Sequence, residues 1–150
     1  MNNTEFKLLL SLSKLCEGFH SSRWESDVCL ARSIHEGRVE TEFTPGGRII
    51  AYVETWRITQ KQVSYILKGR FDFLRDSINF GEVLWIANVS VHPEFRGDQS
   101  IVSSLWKKVL LKNQDATLIG GEYNGTRKRE KRFNLISMKR ITHGVLKNCY

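Results

Sequence analysis

One stretch of the chain, "VSVHPEFRGDQSIVSSLWKKVL" at residues 89–110, has the residue types and spacing of an anion-binding turn. Apolar residues alternate up to Val91, a proline and the pair Arg96-Gly97 follow, and the next residues have helical spacing. Backbone N–H groups of a turn and of the helix after it can bind phosphate oxygens without cationic side chains. Phosphate-binding loops usually carry two or three glycines, whereas Gly97 is the single glycine here. The pattern predicts a modified cradle for a phosphorylated cofactor.

Five polar residues near this turn or at the ends of predicted strands are candidates for acid–base or orienting roles. Glu82 begins one predicted strand, Glu122 lies near the end of the next, and His92 directly precedes the turn. Tyr123 could supply a proton, and Asn88 could orient an amide or form a hydrogen bond across strands. An exposed carboxylate at a strand end and a buried tyrosine hydroxyl are also common without any catalytic role. No Asp, His and Cys residues have metal-ligand spacing, so no metal is implied.

The elements that must position these residues follow from the spacing of apolar residues. The predicted elements are a helix at 4–19, a helix at about 22–35, a hairpin of strands at 38–43 and 48–58, a helix with a break at Gly69 over 60–76, a strand at 82–92, a helix at 98–112 with Asp98 as N-cap, and strands at 116–123 and 133–141. This order predicts an α+β fold with a strand-helix-strand crossover in its second half, in a single domain over residues 1–150.

The composition is that of a globular protein without a membrane span. The chain has 150 residues, of which 41% are hydrophobic, and no apolar run approaches the roughly 20 residues that cross a bilayer. No secretory signal is indicated, so the expected location is cytoplasmic. The three cysteines stand far apart, which favours neither a disulfide framework nor a zinc site.

The net charge of +7 is concentrated at the C-terminal end. Residues 127–150 contain eight basic side chains and one acidic side chain, Glu130, while the remainder of the chain is balanced. The run "RKREKR" at 127–132 is expected to be a helix or a solvated loop. The segment at 127–140 is either an ordinary solvated basic surface or a binding segment for cofactor phosphates, an acidic partner or nucleic acid.

The segment "VSVHPEFRG" resembles a motif of the GCN5-related N-acetyltransferase (GNAT) superfamily. In that superfamily a strand ending in Val-x-Pro-Glu-aromatic-Arg-Gly leads into the loop that receives the pyrophosphate of acetyl-CoA. The resemblance implies a GNAT-like fold, with a central mixed, mostly antiparallel twisted sheet flanked by helices. It also implies that the backbone of Val89 and Val91 pairs with the pantetheine arm. The residues whose N–H groups would face the pyrophosphate are Arg96, Gly97, Asp98, Gln99, Ser100, Ile101 and Val102.

The loop departs from the family pattern, which requires small residues at Gln99 and Ile101, or at Ser100 and Val102 with one inserted residue. Glycines let the backbone close on a phosphate, and β-branched side chains obstruct that approach. Three interpretations remain: CoA binds in a changed geometry, the acyl donor is different, or the fold has lost the activity.

A weaker resemblance links the chain to toxin-activating lysine acyltransferases, which take acyl groups from acyl carrier protein. The similar segments are "FHSSRW" with His20, "GRIIAY" with Tyr52, and "GEVLWIAN" with Trp85. In that branch a His and an Asp are implicated in the chemistry. His20 matches the former, and Asn88 occupies the position of the latter.

These resemblances imply an N-acyltransferase that moves an acyl group from acetyl-CoA, another acyl-CoA or acyl-carrier protein to an amine of a protein lysine or a small molecule. Glu82, Glu122, His92 and His20 are the candidate bases, and Tyr123 and Tyr52 are the candidate proton donors for the thiolate. The alternative is a non-catalytic binding protein that uses its basic C-terminal segment. The last predicted strand could also pair between two copies of the chain in a homodimer.

Overall fold

A computed structural model of the chain describes residues 6, 7, 9, 12, 23–76, 80–124 and 131–137. The helices are α1 (Arg23–His35), α2 (Gln60–Leu67), α3 (Phe73–Asp76) and α4 (Gln99–Lys112). The strands are β1 (Val39–Phe43), β2 (Ile49–Ile58), β3 (Val83–Val91), β4 (Leu118–Asn124) and β5 (Lys131–Ser137), and a short 3-10 turn at Pro93–Phe95 follows β3.

The five strands form one sheet in the order β1-β2-β3-β4-β5. β1 is antiparallel to β2, β4 is antiparallel to β5, and the Ile50–His92 and Tyr52–Asn88 contacts show that β2 and β3 also run in opposite directions. β3 and β4 are parallel, as their helical crossover requires, and their register runs from Val83–Leu118 to Ile86–Gly121. The sheet is therefore mixed and mostly antiparallel, and the predicted α+β class is confirmed.

The chain divides into two compact units, of which the first comprises Met1–Glu54 and Asn88–Val109. One apolar cluster in this unit joins helical residues to the start of β2, and its buried members are Leu9, Leu12, Leu30, Ile49 and Tyr52. Helix α4 is attached to β1 through Lys108, whose Nζ donates to the Thr41 carbonyl at 2.7 Å and pairs with Glu42 at 2.9 Å.

The second unit comprises Thr55–Ala87 and Leu110–Tyr150. Arg57 links two loops of this unit. Its guanidinium donates to the Gly81 carbonyl from Nε at 3.0 Å and binds both Asp115 carboxylate oxygens, at 2.9 and 3.1 Å. This bidentate ion pair lowers the pKa of the Asp115 carboxyl. Arg57 therefore joins Gly81, two residues before β3, to the loop before β4.

Most predicted elements lie where the apolar spacing places them, including the interruption near Gly69 between α2 and α3. The C-terminal boundary differs: β5 already begins at Lys131, two residues earlier than predicted, because the β4 backbone pairs there, with Asn124 opposite Lys131. Residues 127–130 of the basic run lie outside the described residues. So does most of the predicted helix at 4–19, although Phe6, Lys7, Leu9 and Leu12 have helical backbone.

Within the part of the chain that the structure describes, none of the helices combines the length and the apolar character needed to traverse a bilayer.

Gly81 tests the packing of the second unit. Its φ is +147°, and a Cβ atom at this position would overlap the carbonyl group of Ile58. We expect Gly81→Ala to lower the free energy of unfolding by about 2 to 4 kcal/mol, because both the backbone strain and the overlap must be relieved. Urea unfolding followed by circular dichroism measures this change.

Gly46→Ala is the matched control, since its Cβ would meet only Thr44 Oγ1, at 3.8 Å. Equal unfolding midpoints for Gly81→Ala and the control would contradict this account of Gly81.

Candidate functional site

The turn after β3 is built by local hydrogen bonds. The His92 ring accepts from the Glu94 N–H at Nδ1, at 3.2 Å, and so caps the 3-10 turn that Pro93 opens. The Phe95 N–H then donates to the His92 carbonyl at 2.8 Å. Gly97 follows with a φ of +100°, a conformation that favours glycine and permits the chain to enter α4 directly.

The N-terminus of α4 is capped by Asp98, as the sequence predicts. The Asp98 carboxylate accepts from the Ser100 N–H at 3.0 Å and from the Ser100 hydroxyl at 2.6 Å. Hydrogen bonds from Ser100, and from the Ile101 backbone, lower the pKa of Asp98. The positive end of this helix dipole therefore already has a negative charge beside it.

This cap changes which N–H groups could meet a phosphate. Of the predicted set, Arg96 donates to the Pro93 carbonyl at 3.4 Å, and Asp98 donates to the Phe95 carbonyl at 3.1 Å. The N–H group of Ser100 donates to the Asp98 carboxylate. Among the described residues, the N–H groups of Gly97 and Gln99 have no acceptor within hydrogen-bond distance. Both residues are exposed.

The end of β3 is covered by a side chain from the same turn. Arg96 Nε donates to the Val91 carbonyl at 3.3 Å, and Arg96 remains exposed. Val89 and Val91, the predicted partners of a pantetheine arm, are both partly exposed strand residues. Val102 is an exposed residue in the first turn of α4.

Arg48 lies against this turn although nothing in the sequence pattern marks it as functional. Its Nη2 atom is 3.3 Å from His92 Nε2 and 3.4 Å from Glu94 Oε2, and the guanidinium carbon is 5.8 Å from the centre of the Phe95 ring. Neither its residue type nor its position singles out Arg48 in the sequence, because the chain has many basic residues and Arg48 follows an ordinary Pro-Gly-Gly turn. Only the pairing of β2 with β3 brings it here.

Asn88 is buried in β3 and bonded at both ends of its amide. Its Nδ2 donates to the Tyr52 hydroxyl at 2.6 Å, and the Ser90 hydroxyl donates to Asn88 Oδ1 at 3.3 Å. The bond to Tyr52 is the cross-strand hydrogen bond predicted as one of the two roles of Asn88. Because Asn88 is only 5% exposed, a substrate would reach its amide only after local rearrangement.

Glu82 is held at the start of α2. Its Oε1 accepts from the Gln60 N–H at 2.8 Å, and this hydrogen bond is the main reason that the pKa of Glu82 lies below its ordinary value. Thr59 completes the helix start, since it and Gln62 form a reciprocal capping box. A carboxylate with a lowered pKa is a weak general base for an amine.

The remaining predicted residues are placed in less detail. The backbone of Glu122 and Tyr123 lies in β4, opposite Phe133 and Arg132 of β5. His20 lies outside the described residues, and only 131–137 of the predicted partner-binding segment at 127–140 lie within them. Within the described ranges, no group of three or more His, Cys, Asp and Glu residues is arranged to hold a metal ion.

Comparison with solved structures identifies the fold. The chain is similar to the GphF GNAT-like decarboxylase in complex with isobutyryl-CoA, with a TM-score of 0.59 and 20% identity over 86% of this chain and 67% of that one. It is similar to the loading GNATL domain of CurA from Lyngbya majuscula, with a TM-score of 0.55 and 14% identity over 79% of this chain and 60% of that one. A GCN5-related N-acetyltransferase from Kribbella flavida gives a TM-score of 0.55 and 17% identity over 84% of this chain and 30% of that one.

These similarities show that the chain has the GNAT fold, and they confirm that prediction. The chain spans 67%, 60% and 30% of the lengths of these three proteins. No protein-family model and no curated protein sequence matches the chain. The resemblance to toxin-activating acyltransferases stays a prediction.

The Asp98 cap makes the stability of the protein depend on pH. The folded-state pKa of Asp98 is lowered, so its stabilisation is complete above the unfolded value of about 3.9 and is lost as the pH falls through the folded value. We expect Asp98→Ala to be less stable than wild type at pH 7, with a difference that shrinks in acid. Urea midpoints between pH 7 and pH 2.5 measure it.

Asp98→Asn, which keeps an acceptor at the cap, should remain closer to wild type at pH 7. Ser103→Ala, an exposed change in the same helix, controls for general effects on α4. A deficit of Asp98→Ala that stays constant across the pH range would refute the assignment of this carboxylate as the cap.

Proposed function

We propose that the protein is an acyltransferase that binds an acyl-CoA at the turn between β3 and α4 and transfers the acyl group to an amine. The observation that carries the proposal is the turn that runs from the partly exposed Val91 through Gly97 to the exposed start of α4, in a chain with the GNAT fold. A protein of this fold binds isobutyryl-CoA, which supports a CoA thioester as the donor.

The backbone of the turn contributes more to binding of the acyl-CoA than charged side chains do. The N–H groups of Gly97 and Gln99 are the two groups of the turn that can bind phosphate oxygens without breaking an existing hydrogen bond. The Asp98 carboxylate opposes a pyrophosphate at the helix N-terminus, so we expect weaker phosphate binding than a glycine loop gives. An acyl group carried by acyl-carrier protein brings a single phosphodiester in place of a pyrophosphate. The negative charge of Asp98 therefore favours this acyl donor as the variant of the proposal.

Transfer requires the amine nitrogen to attack the thioester carbonyl. The C–N bond forms, the C–S bond breaks, the nitrogen loses a proton and the departing thiolate gains one. Among the candidate bases with described side chains, His92 directly precedes the turn, but its Nδ1 lone pair accepts from the Glu94 N–H. His20, Glu122 and Tyr123 therefore remain the other proposed participants in proton transfer.

A second candidate is decarboxylation of a carboxyacyl-CoA, and the state of the described carboxylates favours it. Glu82, the candidate carboxylate whose side chain the structure describes, accepts from the Gln60 N–H and has a lowered pKa, so it is a weak base for an amine. Decarboxylation needs no such base: the C–C bond breaks, CO2 leaves and the enolate thioester takes a proton. One protein of this fold is a GNAT-like decarboxylase.

Thermal unfolding with acetyl-CoA, a longer acyl-CoA, malonyl-CoA and free CoA tests donor binding. At a ligand concentration of about 100 Kd the expected stabilisation is about 2.7 kcal/mol, and each kcal/mol raises the midpoint by about 2 to 4 °C in a chain of this size. We therefore expect a rise of several degrees. Equal midpoints with and without all four compounds would refute a free CoA donor.

Product analysis then separates the two reactions. Loss of malonyl-CoA with release of CO2 in the absence of any amine supports decarboxylation, whereas free thiol that appears only with an amine supports transfer. The non-catalytic alternative predicts neither product and a binding affinity that falls steeply with salt.

The double variant Arg96→Ala, Gly97→Val tests whether the turn is the donor site. Valine is disfavoured at the positive φ of Gly97, so the turn must change shape. We expect the double variant to lose both the rise of the unfolding midpoint with acyl-CoA and the turnover. Binding of an acidic partner or nucleic acid through a separate basic segment would persist. Arg70→Ala, at an exposed residue away from the turn in sequence, is the control. Wild-type acyl transfer by the double variant would exclude the turn as the donor site.

A further inference from the structure

The side chain of Arg48 is positioned by two parts of the first unit. Its backbone is fixed in the β1–β2 turn, where the Arg48 carbonyl accepts from the Thr44 N–H at 2.8 Å and the Arg48 N–H donates to Thr44 Oγ1 at 3.1 Å. Its guanidinium packs near the Phe95 ring, and 50% of the side chain remains exposed. Arg48 thus has a fixed backbone and a half-exposed guanidinium with N–H groups that reach solvent.

The protonation of His92 follows from its own backbone neighbour. An amide N–H can only donate, so the bond from Glu94 N–H requires a lone pair on His92 Nδ1. The neutral ring must then carry its proton on Nε2. The backbone of His92 is also fixed, since its N–H donates to the Ile50 carbonyl at 2.7 Å.

Two hydrogen-bond donors therefore face each other. Arg48 Nη2 and His92 Nε2 lie 3.3 Å apart, and neither can accept a hydrogen bond from the other. The neighbouring acceptor is Glu94 Oε2, at 3.4 Å from Arg48 Nη2 on a side chain that is 68% exposed. This contact is long for a charge-assisted hydrogen bond, which is normally about 2.7 to 2.9 Å.

We infer that Arg48 and His92 form a subsite for a phosphoryl group, whose oxygens accept from Arg48 Nη2 and His92 Nε2 and displace Glu94. A phosphoryl group suits the pair because it presents several acceptor oxygens and a full negative charge to a planar guanidinium. The Phe95 ring limits the orientations of that guanidinium. The phosphoryl group could belong to a CoA donor or to a phosphorylated acceptor.

A phosphoryl group from a CoA donor rests on the proposed function, whereas one from a phosphorylated acceptor does not. The test therefore uses ligands that distinguish these two sources. Isotope-labelled protein is titrated with inorganic phosphate, CoA and pantetheine, which lacks phosphate, while NMR follows the His92 ring and the Glu94 amide. We expect phosphate and CoA to shift both signals, and pantetheine to leave them unchanged.

Variants assign the effect to Arg48. We expect Arg48→Gln to weaken CoA and phosphate binding roughly tenfold, because one charge-assisted hydrogen bond is lost at a partly exposed site. Arg48→Lys should lose less, and Glu94→Gln should bind both anions more tightly because the competing carboxylate is gone. Arg70→Gln is the matched control, an exposed arginine with no ion-pair partner among the described residues.

The outcomes separate the subsite from the proposed function. Shifts with phosphate but not with CoA would support the subsite and point to a phosphorylated acceptor, against a free CoA donor. CoA binding that Arg48→Gln leaves unchanged would overturn the subsite while the proposed function stands. Absence of any shift at His92 with either anion overturns the subsite as well.

Discussion

The hydrogen bond from the His92 N–H to the Ile50 carbonyl, at 2.7 Å, is the constraint on which the first unit's turn depends. It fixes the end of β3 beside the start of β2, at the point where β3 gives way to the 3-10 turn. The His92 ring is then oriented by the Glu94 N–H, and Gly97 turns the chain into α4. Because Arg48 directly precedes β2, the same constraint brings its guanidinium to the turn.

Asp98 gives this turn a different electrostatic character from that of a glycine-rich phosphate loop. In a glycine loop, the N–H groups at the start of the helix are free to bind an anion from solution. Here a carboxylate from the chain itself accepts from the N–H group of Ser100. The helix is stabilised by its own cap, and an incoming phosphate has fewer free donors. Two features of the turn weaken anion binding. Residues larger than glycine stand at Gln99 and Ile101, and the carboxylate of Asp98 lies at the helix N-terminus.

Polar residues that look chemically useful in the sequence can also serve the fold. Glu82 binds the first N–H group of α2, and Asn88 joins β3 to the Tyr52 hydroxyl of β2. The Asn88 bond lies in the buried interior, where an unsatisfied polar group costs about 1 to 3 kcal/mol, and the Glu82 bond completes an exposed helix start. The residue type and its position near a strand end do not separate this use from catalysis. Hydrogen-bond partners do, and the partners lie far away in the sequence.

The sequence by itself determined the local elements: the hairpin around Pro-Gly-Gly, the break near Gly69, the strand before the turn, and α4 with its Asp98 cap. These features depend on residues within a few positions of each other, so periodicity and capping chemistry predict them. The start of β5 at Lys131 was missed because backbone pairing with Asn124, and not an apolar pattern, extends that strand.

Only the tertiary structure decided which side chains meet at the turn. Arg48 and His92 are 44 residues apart, and Asn88 and Tyr52 are 36 residues apart. Each contact requires one particular register between β2 and β3, and a shift of one residue would turn each side chain to the other face of the sheet. Alternating apolar residues predict that two strands exist and which residues share a face, but many registers satisfy the same alternation. The contacts are therefore set by packing and backbone pairing across the whole sheet, which no local pattern contains.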